Sequence, residues 1–241
     1  MFKKLFQNIS PKNFYFFSSK IIPWAFFVTL IFISYGLYLG LFVAPPDYQQ
    51  GDAFRIIYVH VPSAWLSLFA YTSLFICSVI ALIWKIKVFE ILSIASAKNG
   101  AIFTFLALVT GSIWGKPMWG TWWVWDARLT SELVLLFIYL SIIFLYHAYD
   151  DYRKGAKAAN ILAIVGFINI PIIHFSVEWW NTLHQGPSVM KFSSPSISDE
   201  MLYPLIYTTI GFTSYLLLAI LLSARNTLIE HEKNTNWIKS I

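Results

Sequence analysis

The chain has 241 residues, 58% of them hydrophobic, 19% aromatic and only 12% charged. Soluble domains carry about 25% charged residues, so this composition, with a mean hydropathy of +0.63, excludes an ordinary soluble enzyme and points to an integral membrane protein. The net charge of +5 then reads as basic loops on one side of a bilayer rather than as a nucleic-acid surface.

Six segments lack Asp, Glu, Lys and Arg: 21–44, 61–84, 99–115, 133–149, 158–177 and 201–224. About 20 mainly apolar residues cross ~30 Å of hydrocarbon as a helix. The segments predict transmembrane helices over 21–44, 61–84, 99–115, 131–149, 158–178 and 201–224, within a single domain spanning 1–241. Alternation of period two is absent, which argues against a transmembrane barrel. The first apolar run is too long for a signal peptide and is followed by no Ala-x-Ala site, so it reads as a retained helix. Gly36 and Gly40, four residues apart, suggest a close-packing face on that helix. The second helix is expected to begin near Val59–Pro62, because proline is favoured in a first turn. The single cysteine, Cys77, forms no intramolecular disulfide, and no Cys-x-x-Cys is present.

Orientation follows from the cations. Lys3, Lys4, Lys12, Lys20, Lys85, Lys87, Lys98, Arg153, Lys154, Lys157, Arg225, Lys233 and Lys239 fall on one side, and Arg55, Lys116, Arg128 and Lys191 on the other: thirteen against four. The positive-inside rule places both termini in the cytoplasm and the connections 1–2, 3–4 and 5–6 outside. In the last of these, 186–187 and 193–199 read as turns and irregular surface.

The 3–4 connection is the most unusual stretch. Residues 114–130 form an outer tryptophan-rich loop containing Trp114, Trp119, Trp122, Trp123 and Trp125, followed by Asp126 and Arg128. An aromatic belt would be roughly two-sided. Here Trp65, Trp179 and Trp180 join those five on the outer side, against Trp24, Trp84 and Trp237 on the inner: eight against three. Such an indole surface beside a few charges suits a flat apolar ligand with charged edges.

His60 and His184 fall on the same side. Two neutral imidazoles on opposite faces of a porphyrin give six-coordinate iron, although either histidine alone is more often a structural hydrogen-bonding residue, and only the pair beside an indole platform brings the ligand reading level with it. Arg55 and Arg128 are outward guanidinium groups able to grip carboxylates such as propionates, or to pair with Asp126 or Glu132. Asp126 is placed to cap the fourth helix or to orient a ligand, with Thr130 and Ser131 as rival caps. His174 falls within the fifth helix, either buried and hydrogen-bonded or functional by default as an intramembrane ionisable group. His147 and His231 are expected to be solvated or interfacial. No Walker sequence, Ser/His/Asp grouping or His-Glu-x-x-His is visible.

The run from Trp119 to Thr130, Trp-Gly-Thr-Trp-Trp-Val-Trp-Asp-Ala-Arg-Leu-Thr, resembles the tryptophan-rich WWD signature of the haem-handling superfamily of cytochrome c biogenesis. With six helices and His60 and His184 flanking the signature, the chain is similar to the cytochrome c maturation protein C family, also called haem exporter protein C. The resemblance covers essentially the whole chain. It implies a multi-pass protein of the bacterial inner membrane that binds haem b as a substrate on the periplasmic side. It implies a porphyrin cradled by the WWD stretch, His60 and His184 as axial ligands, and delivery to a membrane-anchored periplasmic haem chaperone. An ABC transporter with separate ATPase and membrane subunits, plus a small single-helix subunit, would complete the partner set. The sequence carries no classical active site, and whether covalent attachment of haem to the chaperone is promoted here stays open at this point. Two rivals remain beside this reading. One is a channel or transporter that itself moves haem across the bilayer, with His174 as an inner waypoint. The other is an interaction subunit whose tryptophan face docks a partner protein.

Overall fold

A computed structural model describes residues 9–184 and 197–240. Lys3, Lys4, Lys191 and the turns expected at 186–187 and 193–196 lie outside the described residues. The protein is all-α, with six helices long and apolar enough to cross a membrane and no strand among the described residues. The helices are α1 (Pro11–Tyr38), continued by a π-helical end (Leu39–Val43), α2 (Ile57–Trp84), entered through a 3-10 turn (Asp52–Ile56), α3 (Lys87–Trp119), α4 (Ala127–His147), α5 (Tyr152–Gly166), α6 (Asn169–Trp179) and α7 (Asp199–Glu232). α5 and α6 together make the fifth span.

Local chemistry accounts for most helix ends. α1 starts with Ser10 as its cap, whose hydroxyl accepts from the Asn13 N–H at 3.2 Å, and with proline at the first position; Pro11 loses nothing there because that N–H has no intrahelical partner. Pro45 and Pro46 follow one residue beyond the π-helical end, after its cap Ala44, where helix cannot continue. α3 stops at Gly120, which takes φ 76° and donates its N–H to the Lys116 carbonyl at 3.1 Å, the left-handed C-terminal geometry that glycine accepts without strain. α2 begins earlier than expected, at Ile57, so Pro62 sits inside the helix instead of in its first turn.

The fifth span is not the continuous helix that the hydropathy suggested. It breaks at Phe167 and Ile168. Pro171 has no N–H to return to the Phe167 carbonyl, which accepts instead from Ile170 N at 3.0 Å in a tighter turn.

α3 is the central helix: 67% of its most apolar window is buried, against 17% for α1. α3 packs chiefly on α2, and α1 on α7. Gly36 lets α1 approach Thr208 of α7, where a Cβ would stand 2.7 Å from the Thr208 nitrogen, and Gly40 admits the Tyr58 ring. A buried cluster of Tyr71, Leu74, Ile94, Leu135, Tyr139 and Ile173 ties α2 to α6. Polar side chains pair inside the bundle: Asn160 Oδ1 accepts from Ser78 at 3.0 Å and from Ser93 at 2.7 Å. Each such pair contributes about 0.6 kcal/mol on average in a bilayer, so these fix helix register more than they add stability. At one end of the bundle, His231 is stacked on Tyr152 with ring centroids 4.1 Å apart, while His147 is exposed.

Candidate functional site

The tryptophan-rich stretch is less of a loop than expected. Trp114 to Trp119 form the last turns of α3, residues 120–126 make the connection, and Ala127 to Thr130 begin α4. Asp126 is the α4 cap: its Oδ1 accepts the Leu129 N–H at 2.8 Å. Thr130 and Ser131, the rival caps, lie inside the helix. The second oxygen of the same carboxylate, Oδ2, lies 3.2 Å from His184 Nδ1. One side chain thus ties the start of the fourth span to the histidine that follows the fifth.

His60 and His184 line one cleft of about 440 Å³, part of it open to the surroundings, together with Ala64, Gly111, Arg128 and Glu132. Each imidazole makes its hydrogen bond through Nδ1: His60 to Thr110 Oγ1 at 3.0 Å, His184 to Asp126. Nε2 of each ring is thereby left for a ligand. Each ring is also braced by an indole. Trp114 meets His60 edge to face at 5.5 Å, and Trp119 meets His184 at 4.9 Å. Trp114 is itself fixed by its N–H, which donates to Gln50 Oε1 at 2.9 Å, and by Phe54. Burial holds the His184 imidazole below its ordinary range, against the opposing pull of the Asp126 carboxylate. The contact between them is therefore a neutral imidazole donating to a carboxylate rather than an ion pair, and a neutral ring is what a metal requires.

The remaining candidates divide. Arg128 is in the cleft, anchored by an N–H donated to the Ile173 carbonyl at 2.8 Å. Arg55 is not among the lining residues. It donates to Asp52 at 2.9 Å and to the Gly40 carbonyl at 2.8 Å, where the π-helical end of the first span leaves acceptors to be filled, so it pairs with neither Asp126 nor Glu132. Trp122 and Trp125 are 56% and 75% exposed and are not among the lining residues. Trp123 packs edge to face on Trp125 at 5.4 Å and keeps its N–H buried without a partner among the described residues. His174 is on the outside of α6, against Phe175, and does not line the cleft.

Thr110 and Gly111 were not singled out by sequence, and Glu132 only as a possible ion-pair partner for the arginines. Gly111 gives the His60 ring its room: a Cβ there would stand 2.9 Å from His60 Cε1. Glu132 is buried at the cleft wall, with Oε1 2.8 Å from the Ser67 hydroxyl. Helical spacing was the available signal, since Gly111 lies four residues after Ala107 and Glu132 four after Arg128 on the faces that meet here.

The profile of the family described as "CcmC: Heme exporter protein C" matches residues 4–239. The chain is 50% identical over 241 residues to "Heme exporter protein C" of Haemophilus influenzae, covering 100% of this chain and 98% of that protein. It is 47% identical over 241 residues to the protein of the same name from Escherichia coli K12, covering 100% and 97%. It is also 47% identical over 196 residues to a "Putative cytochrome c biosynthesis ccmC-like mitochondrial protein" of Marchantia polymorpha, covering 81% of each. With a match over nearly its whole length and relatives of this identity, the chain belongs to the haem exporter protein C family.

Proposed function

We propose that this protein binds haem b in the cleft between His60 and His184, at the periplasmic face of the bacterial inner membrane, and hands it to a membrane-anchored haem chaperone for c-type cytochrome biogenesis. The family supports a role in haem export. The observation that carries the binding site is the shared cleft: two imidazoles, both held through Nδ1, stand with a guanidinium in one lining. Among the described residues no group of three or more His, Cys, Asp or Glu side chains converges as a metal site. Two imidazoles suit an iron that brings four equatorial nitrogens of its own.

In this reading His60 and His184 are the axial ligands, Arg128 takes a propionate, and the residues of 114–130 divide the labour. Trp114 and Trp119 brace the histidines, Trp122, Trp123 and Trp125 offer the porphyrin an apolar face, and Asp126 orients His184. Arg55, outside the lining, fixes the end of the first span. The thirteen-to-four distribution of cations supports a cytoplasmic placement of both termini and an outer placement of the cleft. The chain supplies no nucleotide-binding sequence, which fits a division of labour with separate ABC transporter ATPase and membrane subunits and a small single-helix subunit.

The test is a visible absorption spectrum of the full-length protein purified from haem-replete membranes. Wild type is expected to show six-coordinate haem, and His60→Ala and His184→Ala each to lose it. An unchanged spectrum in either variant removes that residue from the ligand set.

A further inference from the structure

Both imidazoles are held through Nδ1, but by acceptors of different kinds, and His60 also has the Ala107 carbonyl beside it. Thr110 Oγ1 lies 2.7 Å from the Leu106 carbonyl and 3.3 Å from the Ala107 carbonyl. A hydroxyl has one proton, and a carbonyl oxygen has none to give. The short contact to Leu106 therefore holds the Thr110 proton; without it, two oxygens would face each other lone pair to lone pair. Only lone pairs of Oγ1 remain for His60, 3.0 Å away. Nδ1 of His60 must then carry the proton, and in a neutral imidazole the free electron pair resides on Nε2.

The same face of α3 closes round the rest of the ring. Gly111 faces Cε1, and Trp114 stands edge-on at 5.5 Å. Positions 110, 111 and 114 of one helix thus form a socket for a histidine carried by another. His184 is held differently. Its acceptor is the Asp126 carboxylate, whose side chain is 7% exposed. A carboxylate on the distal N–H raises the basicity of the ligating nitrogen and fixes its orientation; a neutral hydroxyl whose own proton is committed does so much less.

We propose that Thr110 is a positioning residue that holds His60 as the Nδ1–H tautomer with Nε2 available in the cleft, and that the contrast between its hydroxyl and the Asp126 carboxylate makes His60 the weaker of two unequal iron ligands. This rests on the reading of the cleft as a haem site. When an incoming ligand takes haem from the protein, the Fe–Nε2 bond to His60 is the first to break; the electron pair stays on Nε2, and no proton or redox equivalent moves.

The experiment uses the full-length protein with Thr110→Val, which keeps the shape and removes the hydroxyl, and Thr110→Ser, which keeps the hydroxyl. In the haem-free protein, 15N NMR of labelled histidine is expected to report a single Nδ1–H tautomer for His60 in wild type and Thr110→Ser, and a mixture in Thr110→Val. Haem titration is expected to show roughly tenfold weaker binding for Thr110→Val, restored by Thr110→Ser, with thermal unfolding of the haem-free variants unchanged. A single Nδ1–H tautomer together with unchanged affinity in Thr110→Val overturns the role of Thr110. For the inequality, His184→Ala is expected to lose at least tenfold more haem affinity than His60→Ala; equal losses or the reverse order overturn it. The underlying reading fails separately, if neither histidine variant changes the haem spectrum.

Discussion

The indole of Trp119 meets the imidazole of His184 edge to face, with ring centroids 4.9 Å apart and planes at 67°. Trp119 belongs to the last turn of α3 and His184 follows α6, so this contact holds the second histidine to a helix far from its own in sequence. Aromatic pairs of this geometry contribute about 0.5–1.5 kcal/mol beyond area burial. Trp119→Ala is therefore expected to weaken haem binding by roughly two- to tenfold and to raise the five-coordinate fraction, while Trp119→Phe retains most of both. Haem titration followed by absorption measures the two variants side by side; equal affinity for wild type and Trp119→Ala would remove the brace from the account.

Gly111 tests the room left for His60. A Cβ at this position stands 2.9 Å from His60 Cε1, closer than such atoms approach, and the adjacent Nδ1 is held by Thr110. Gly111→Val is expected to abolish six-coordinate haem while the helix content, read by circular dichroism, stays as in wild type. Gly111→Ala should give an intermediate spectrum. Full haem binding by Gly111→Val would mean that His60 does not need its present position.

Arg128 is the propionate candidate. A hydrogen bond to a charged group contributes about 1.5–3 kcal/mol, so Arg128→Met is expected to cost roughly 10- to 150-fold in haem affinity. The control is haem dimethyl ester, whose carboxylates are blocked: wild type and Arg128→Met should bind it alike. A variant that loses ester binding to the same extent would place Arg128 in the fold, through its bond to the Ile173 carbonyl, and not at the ligand.

Asp126 carries two separable roles. Asp126→Ala removes the cap of α4 and should cost about 0.5–2 kcal/mol of stability, whereas Asp126→Asn keeps a good capping residue but removes the charge. Burial already lowers the His184 pKa and the Asp126 carboxylate opposes that shift. In Asp126→Asn the imidazole of the haem-free protein should therefore titrate at still lower pH than in wild type, as NMR can follow. The sign for stability follows: a histidine whose folded pKa lies below its unfolded value of about 6.5 contributes stability above that pH. The contribution is lost as the pH falls towards the folded value. A titration that moves upwards in Asp126→Asn would contradict this arrangement.

Six spans could be read from sequence because charge-free segments of the right length are rare by chance and each was bounded by charges. Their ends could not. α3 runs on through Lys87, Glu90 and Lys98, and α7 through Arg225 and Glu232, since leaving the hydrocarbon does not end a helix. The break in the fifth span had a legible cause in Pro171, hidden because the apolar run continues across it. At the site, His60, His184 and Arg128 stand out by residue type in an apolar chain, and the structure brings those three together. Thr110 and Gly111 are ordinary residues of an apolar helix; only the three-dimensional approach of α2 to α3 gives them a meaning. Arg55 was as conspicuous as Arg128, but the carbonyl of Gly40, released by the π-helical end of the first span, drew it elsewhere.

The double attachment of Asp126 has a consequence for synthesis. The carboxylate precedes the fourth span, and its imidazole partner emerges only after the fifth. On a chain made from its N-terminus, His60 and its neighbours on α3 come early, Arg128 and Glu132 add the α4 wall, and His184 is the last of the lining residues to be made. A truncated or stalled chain thus carries one histidine without its counterpart, and the two-histidine cleft is complete only once five spans have been made.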